Sequence, residues 1–286
     1  MKNIDEDEGK IKEVEDSTIL EAVKLIKKGI YFDLGLEINK KMPGAKEGVF
    51  PFSMLFCDIS ENTGKNFKNL EGNSEISTAS EVVIGNTHTS THIDALSHWQ
   101  FKGRIIEKYN IEDIRTIDGW TKCGAETIPP IIGRGVLIDI ARYLNKEKLE
   151  DKHLISLEEV KNCLNRFNLK IKPGDIVCIR SGAIKNAWEE DYYKKGPGIE
   201  AEAANWLAEQ GMCVLCFDYG CIDGIPFKDF NNTTHINLIC RKRIHLIESI
   251  YLEELSQNNI FEFFIFCSSL KFTGASGSWV RPVAVI

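Results

Sequence analysis

Apolar residues in this chain fall into short continuous runs separated by turn residues and by stretches of helical spacing. Gly135 to Ala141 (GVLIDIA), Ile176 to Arg180, Met212 to Phe217 and Phe261 to Cys267 each read as a buried strand. The turn Lys172-Pro173-Gly174-Asp175 leads into the second of these. Ser156 and Glu159 have capping-box spacing, and Val160, Cys163, Leu164 and Phe167 follow on one face, which predicts a helix to about Phe167. A further helix is expected from Gly198 to Gln210, closed by Gly211. Near the N-terminus, Thr18 and Glu21 again have capping-box spacing. Ile19, Leu20, Val23 and Ile26 give an apolar stripe, so a helix is expected from Thr18 to Lys28 with a stop at Gly29. A strand should follow over Ile30 to Ile38, then a loop carrying Pro43, Gly44, Gly48 and Pro51. Residues 80–98 read as a strand running into a polar loop. Helices alternate with apolar strands in the second half, and strands and loops dominate the first. The fold class is therefore α/β, with a mixed central β-sheet or barrel-like sheet region and flanking helices.

Composition narrows the functional classes. The 286 residues are 43% hydrophobic, ample for a large core, and the formal net charge is −7. That balance argues against a nucleic-acid partner, which would require a basic face. No run of 18 apolar residues exists, so no spanning helix is expected. The charged opening MKNIDEDEGKIKEVED is unlike a signal peptide. Residues 1–16 are read as a flexible acidic N-terminal tail and residues 17–286 as one domain. Nine cysteines, an odd number in a long chain, fit a reducing cytoplasm better than a disulfide framework. Cys213 and Cys216 have the spacing of a redox or zinc pair. No second such pair completes a four-cysteine site, so they are read as small hydrophobes in a strand.

The chemistry concentrates in His88-Thr-Ser-Thr-His92-Ile-Asp94-Ala-Leu-Ser-His98, which holds three of the six histidines. Imidazole nitrogen and carboxylate oxygen suit zinc or manganese. On an extended segment His92 and Asp94 point to the same side, and His88 and His98 can fold in from either end. A bound divalent ion lowers the pKa of water toward ~7 and polarises a carbonyl, and a histidine suits proton delivery near neutral pH. This constellation points to a metal-dependent hydrolase. His153 and His245 belong to no pattern and are read as surface residues. Arg180 and Asp218 end apolar strands, where ion pairing is at least as good an explanation as a site. Phe50, Phe52 and Trp99 could line an aromatic wall, with ordinary core packing the simpler reading for each.

The segment resembles the pattern His-x-Gly-Thr-His-x-Asp-x-Pro-x-His of the cyclase family of metal-dependent hydrolases, which includes kynurenine formamidase and isatin hydrolase. His88, Thr91, His92, Asp94 and His98 match, while Ser90 stands in place of the glycine and Leu96 in place of the proline. Tyr31-Phe-Asp33-Leu34, Gly135 to Arg142, Pro173 to Gly182, His235-Ile-Asn-Leu-Ile with Ile244 and Glu248, and Gly277 to Pro282 resemble further family segments. In these, Arg243 replaces a common glycine and Trp279 a usual proline. The resemblance spans roughly residues 30–286. It implies a swivelling β/β/α architecture and His88, His92 and Asp94 as metal ligands. Asp94 would be shared with a second site completed by His235 and Glu248, and His98 would be the proton donor and acceptor. It further implies one or two Zn²⁺ or Mn²⁺ ions, a homodimer or higher oligomer, and a small-molecule substrate. That substrate would be a small amide, an N-formyl arylamine or a cyclic imide or lactam. A lactone hydrolase, a polyketide-type cyclase and a non-catalytic metal-binding protein are the alternatives.

Overall fold

The computed structural model describes residues 6–42, 52–58 and 79–286. Nine strands form one mixed sheet: β1 (Tyr31–Asp33), β2 (His92–Asp94), β3 (Ile131–Asp139), β4 (Ile176–Arg180), β5 (Val214–Phe217), β6 (His245–Glu248), β7 (Glu262–Cys267), β8 (Gly277–Trp279) and β9 (Val283–Val285). Their spatial order is β1-β9-β7-β3-β4-β5-β6-β2-β8. The central run β3-β4-β5-β6 is parallel, and the pairings on either side of it are antiparallel.

Parallel strands covered on both faces read as unbroken apolar runs, and the central strands do. Alternate residues nevertheless enter two different cores. Val136, Ile138, Val177, Ile179, Leu215, Phe217 and Leu246 pack beneath α2 (Leu157–Arg166) and α3 (Ala201–Glu209). Leu137, Ile176, Cys178, Val214, Cys216 and Ile247 pack on the opposite face with Leu34, Phe263 and Ala284. The α2 capping box forms as predicted: Glu159 N–H donates to Ser156 Oγ, and the Glu159 carboxylate accepts from Ser156 N–H. Cys213 and Cys216 are free and buried, as are all the cysteines whose side chains are described.

Several boundaries differ from the sequence reading. The first strand covers only Tyr31–Asp33, whereas β3 starts at Ile131. Gly198–Ile199 form a short strand paired with Leu154–Ile155, so α3 starts at Ala201. The first helix, α1 (Asp16–Val23), starts and ends earlier than predicted and has no side-chain cap. Its contact residue is Ala22, whereas Leu20, Val23 and Ile26 face outward. The stripe was misread because α1 packs against β3 and β7 through a narrow, small-residue edge. Residues 6–13 lie within the stretch 1–16 read as a flexible tail, and they have defined structure. They form two short 3₁₀ turns laid on the domain. Ile11 is buried, Lys10 N–H donates to the Arg243 carbonyl at 2.7 Å, and Glu13 pairs with Arg243 at 2.7 Å.

Outside the main sheet, Ser53–Asp58 and Ser80–Ile84 pair as an antiparallel two-stranded hairpin. Met54, Leu55, Phe56, Val82, Val83 and Ile84 are all exposed on it. No helix among the described residues is long and apolar enough to cross a membrane.

Candidate metal centre

Sheet register builds the site. Antiparallel pairing of β6 with β2 sets Glu248 opposite His92, and pairing of β8 with β2 sets Gly277 opposite Asp94. Directly opposed residues share a face, and His92 and Asp94 are two apart. All three polar side chains therefore project to one side of the sheet. His88 then lies over β8, where a side chain would otherwise stand. A Cβ on Gly277 would come within 2.5 Å of the His88 ring. The turn before β2 is tight: Ser90 has φ +58°, in the left-handed region where the family pattern has glycine, and Arg243, the other residue in place of a glycine, has φ +56°. That turn brings the Ser90 carbonyl to 2.9 Å from His92 Nδ1.

Five side chains converge on the Asp94 carboxylate or its neighbours. Asp94 Oδ1 lies 2.8 Å from His88 Nδ1, 3.6 Å from His92 Nε2 and 3.8 Å from His98 Nε2. Asp94 Oδ2 lies 3.5 Å from His235 Nε2. Glu248 reaches His235 Nε2 at 3.4 Å and His92 Nε2 at 3.6 Å, anchored by the Ile222 N–H at 2.7 Å. Two overlapping groups have ligand spacing, His88–His92–Asp94 and Asp94–His98–His235, and Asp94 belongs to both. Adjacent donors at ~2.1 Å from one tetrahedral ion would stand about 3.4 Å apart, close to the separations here. The donor set passes a second test. Asp94 is fully buried, yet its Oδ2 makes no hydrogen bond. A buried carboxylate oxygen without a partner is costly, and a cation in the ring of imidazoles would satisfy it.

The surroundings prepare the imidazoles for such a role. The Ser90 carbonyl can only accept, so His92 Nδ1 carries the proton and Nε2 presents a lone pair. His88 Nε2 meets Ser276 Oγ at 2.9 Å, which leaves Nδ1 facing Asp94. His98 is different. Its ring stacks on His88 at 3.9 Å, makes no side-chain hydrogen bond among the described residues, and is 27% exposed against 1% for His92. Burial, reinforced by the imidazoles of His88, His235 and His92, holds His98 well below its ordinary pKa despite the pull of Asp94. Burial likewise lowers His92. Burial also opposes charge on Asp94 and His235, but it is outweighed at both. His98, His235 and His88 hold Asp94 well below the usual carboxylate range, and Asp223, Asp94 and Glu248 raise His235 well above an ordinary histidine.

A model of the cyclase family, described as "Putative cyclase", matches residues 32–224. The chain belongs to the cyclase family. Among solved structures, a novel cyclase is 25% identical over 99% of this chain and 97% of its own, with a TM-score of 0.86. Isatin hydrolase A from Ralstonia solanacearum is 20% identical over 90% and 92%, with a TM-score of 0.65. An isatin hydrolase bound to the product analogue thioisatinate is 15% identical over 96% and 99%, with a TM-score of 0.69. These likenesses agree with the swivelling β/β/α architecture expected of the family. No curated protein sequence matches the chain.

The cyclase motif residues His88, His92, Asp94 and His98 and the distal His235 and Glu248 thus come together around the Asp94 carboxylate. Several other readings change. His245 is fully buried, not on the surface. It lies on the opposite face of the sheet, with Nδ1 2.9 Å from the Asp94 carbonyl and Nε2 3.4 Å from the Glu8 carbonyl. His153 is half-buried and pairs with Glu159 at 3.0 Å. Trp99 stacks on His235 at 4.7 Å and borders Phe227 at 6.1 Å, so it walls the site and is more than core filling. Phe50 lies outside the described residues. Arg180 pairs with Asp139 and Glu253. Asp218 accepts from Ser181 and Gly182, and burial pushes its carboxyl up to about 7 against those donors. Ser276 and Asp223 were not found from sequence, and Gly277 was named only as the start of a family-like segment, with no part in the site. Only Asp223 carried a signal, a carboxylate in the otherwise uncharged stretch Tyr219 to Phe227.

Proposed function

We propose that this cyclase-family chain is a metal-dependent hydrolase that opens the C–N bond of a small amide, an N-formyl arylamine or a cyclic imide or lactam. The observation that carries this reading is the buried Asp94 carboxylate. One of its oxygens lacks a hydrogen bond, and imidazole nitrogens surround it at ligand spacing. The structural neighbours named isatin hydrolases favour a cyclic amide, since isatin is one.

His88, His92 and Asp94 would hold one ion, and Asp94, His235 and Glu248 would hold a second. The nitrogen and oxygen donors suit Zn²⁺ or Mn²⁺. Such an ion supplies Lewis acidity toward a substrate carbonyl and brings the pKa of water toward ~7. His98 moves the proton. Partly exposed and unheld by a side-chain hydrogen bond among the described residues, its ring is free to turn between water and the leaving nitrogen, and so to carry a proton from one to the other. Trp99 and His235 form a stacked wall that orients substrate and excludes water from one side.

The exposed hairpin bears on assembly. A two-stranded hairpin is marginal alone in water, and a second copy of the chain would cover its apolar residues, giving a homodimer. The buried free thiols fit a reducing cytoplasm.

The test combines elemental analysis with a substrate panel. Protein reconstituted with Zn²⁺ or Mn²⁺ should retain at least one ion per chain and hydrolyse isatin or an N-formyl arylamine faster than a lactone. Protein that takes up neither ion overturns the reading. Tight metal binding without turnover on any amide, imide or lactone points instead to the non-catalytic alternative. Light scattering that shows a stable 32.4 kDa monomer removes the dimer.

A further inference from the structure

Unlike His88, His92 and His98, which share one segment, His235 comes from a separate element, at the start of the π-type helix Ile236–Arg241. Nothing in strand register fixes its ring. Its Nδ1 is hydrogen-bonded to Asp223 Oδ2, on the edge of the ring away from Asp94 and Glu248. Asp223 is itself held: its Oδ1 accepts the Thr234 N–H, and Thr234 Oγ1 donates to the Ile199 carbonyl at 2.9 Å. Asp223 is 8% exposed and borders a cavity of about 300 Å³, lined also by Glu200, Phe227 and Thr233. The order in space is therefore Asp94, the His235 ring, Asp223, and then the cavity.

We propose that Asp223 is a positioning residue for the metal centre, which fixes the tautomer and ring angle of His235 so that Nε2 presents a lone pair to an ion beside Asp94 and Glu248. A neutral imidazole carries its proton on either nitrogen. With the proton on Nε2, His235 would be no ligand. A carboxylate at Nδ1 selects the other tautomer and raises the donor strength of Nε2, and loss of such a partner typically weakens metal binding about 10–100-fold. This inference rests on the reading of His235 as a ligand. It adds a residue twelve positions before the nearest motif segment and a reason for its carboxylate.

The competing role for Asp223 is purely local, as a cap on the Thr234 N–H, and the experiment separates the two. Zn²⁺ affinity is measured on the full-length chain by competition with a chromophoric chelator, for wild type, Asp223→Asn, Asp223→Ala and His235→Ala. Asp223→Asn keeps an oxygen for Thr234 but loses the charge. It should bind the weaker-held Zn²⁺ about 10–100-fold less tightly, while the metal-free protein melts near the wild-type temperature. In Asp223→Ala, formate admitted through the adjoining cavity should restore affinity in a dose-dependent way. Unchanged affinity in Asp223→Asn overturns the proposal. So does affinity lost in Asp223→Ala that formate does not restore, since that outcome assigns Asp223 to the local cap. If His235→Ala binds as many Zn²⁺ ions as wild type with equal affinity, the ligand assignment of His235 itself has failed. If only His235→Ala loses affinity, the ligand assignment stands and the Asp223 proposal falls.

Discussion

Two buried polar clusters lie along the same sheet and differ in one respect. At the ends of β3 and β4, Arg180 donates to Asp139 at 2.8 Å and to both oxygens of Glu253 at 2.7 and 2.9 Å, and also to the Glu147 carbonyl at 3.1 Å. The second Asp139 oxygen accepts from Ser256. That cluster is closed: cation and carboxylates satisfy one another. Around Asp94 the inventory is unbalanced, with four imidazoles and the Glu248 carboxylate crowded about it and one of its own oxygens left without a hydrogen bond. Buried charge by itself therefore says little about function. A network complete within the chain is structural, whereas one rich in acceptors calls for a cation from outside.

Asp94→Ala attacks this contrast most directly. It should abolish stoichiometric metal binding, measured by elemental analysis after reconstitution, and turnover should fall to background. The metal-free variant should remain folded. His98→Ala should retain the metal and lose turnover by on the order of 10²–10⁴-fold. Loss of metal equal to that in Asp94→Ala would make His98 a ligand, in keeping with its place beside Asp94 and His235. Arg180→Ala should do the reverse. Removing one partner of a buried ion pair costs about 3–5 kcal/mol, readable as a lower urea midpoint, while metal stoichiometry of the folded fraction stays at the wild-type value. Should Arg180→Ala lose metal while remaining folded, the two clusters are not separate. Gly277→Ala inserts a methyl group against the His88 ring. Overpacking of this kind costs about 1–3 kcal/mol, and weaker metal binding than in wild type would show that the strain falls on the ligand. Least affected should be Asp33→Asn, at the exposed pair with Arg281. The Arg281 hydrogen bonds lower the Asp33 pKa, so the pair's contribution is complete above the unfolded carboxylate value near pH ~4 and fades as pH falls below it. Thermal melts at neutral pH should differ by no more than about 1 kcal/mol from wild type.

The legible part of the centre was local. His88, His92, Asp94 and His98 share one extended segment, where residue type and alternation carry the signal. The central strands were legible because burial on both faces leaves continuous apolar runs. His235 and Glu248 could be placed only by resemblance, since their positions depend on the pairing of β6 with β2, a long-range register that no local pattern encodes. His245 looked superficial because its cover comes from residues 6–13, whose charged composition disguises one buried isoleucine and a set of backbone hydrogen bonds. The stripe on α1 misled for the converse reason: apolar spacing was present, but the helix docks through Ala22.

The hydrogen bond between His88 and Ser276 joins residues 188 apart in the chain. Translation at about 5–20 residues per second places roughly 10–40 s between the emergence of the motif and that of its partner. Throughout that interval His88, His92, Asp94 and His98 are exposed to cellular metal without β8 beneath them or Ser276 to aim the His88 ring. Any ion captured then would be selected by availability and the flexible donors alone. Discrimination by geometry starts only after residue 277 has joined the sheet, so the folded chain, and not the nascent motif, chooses its metal.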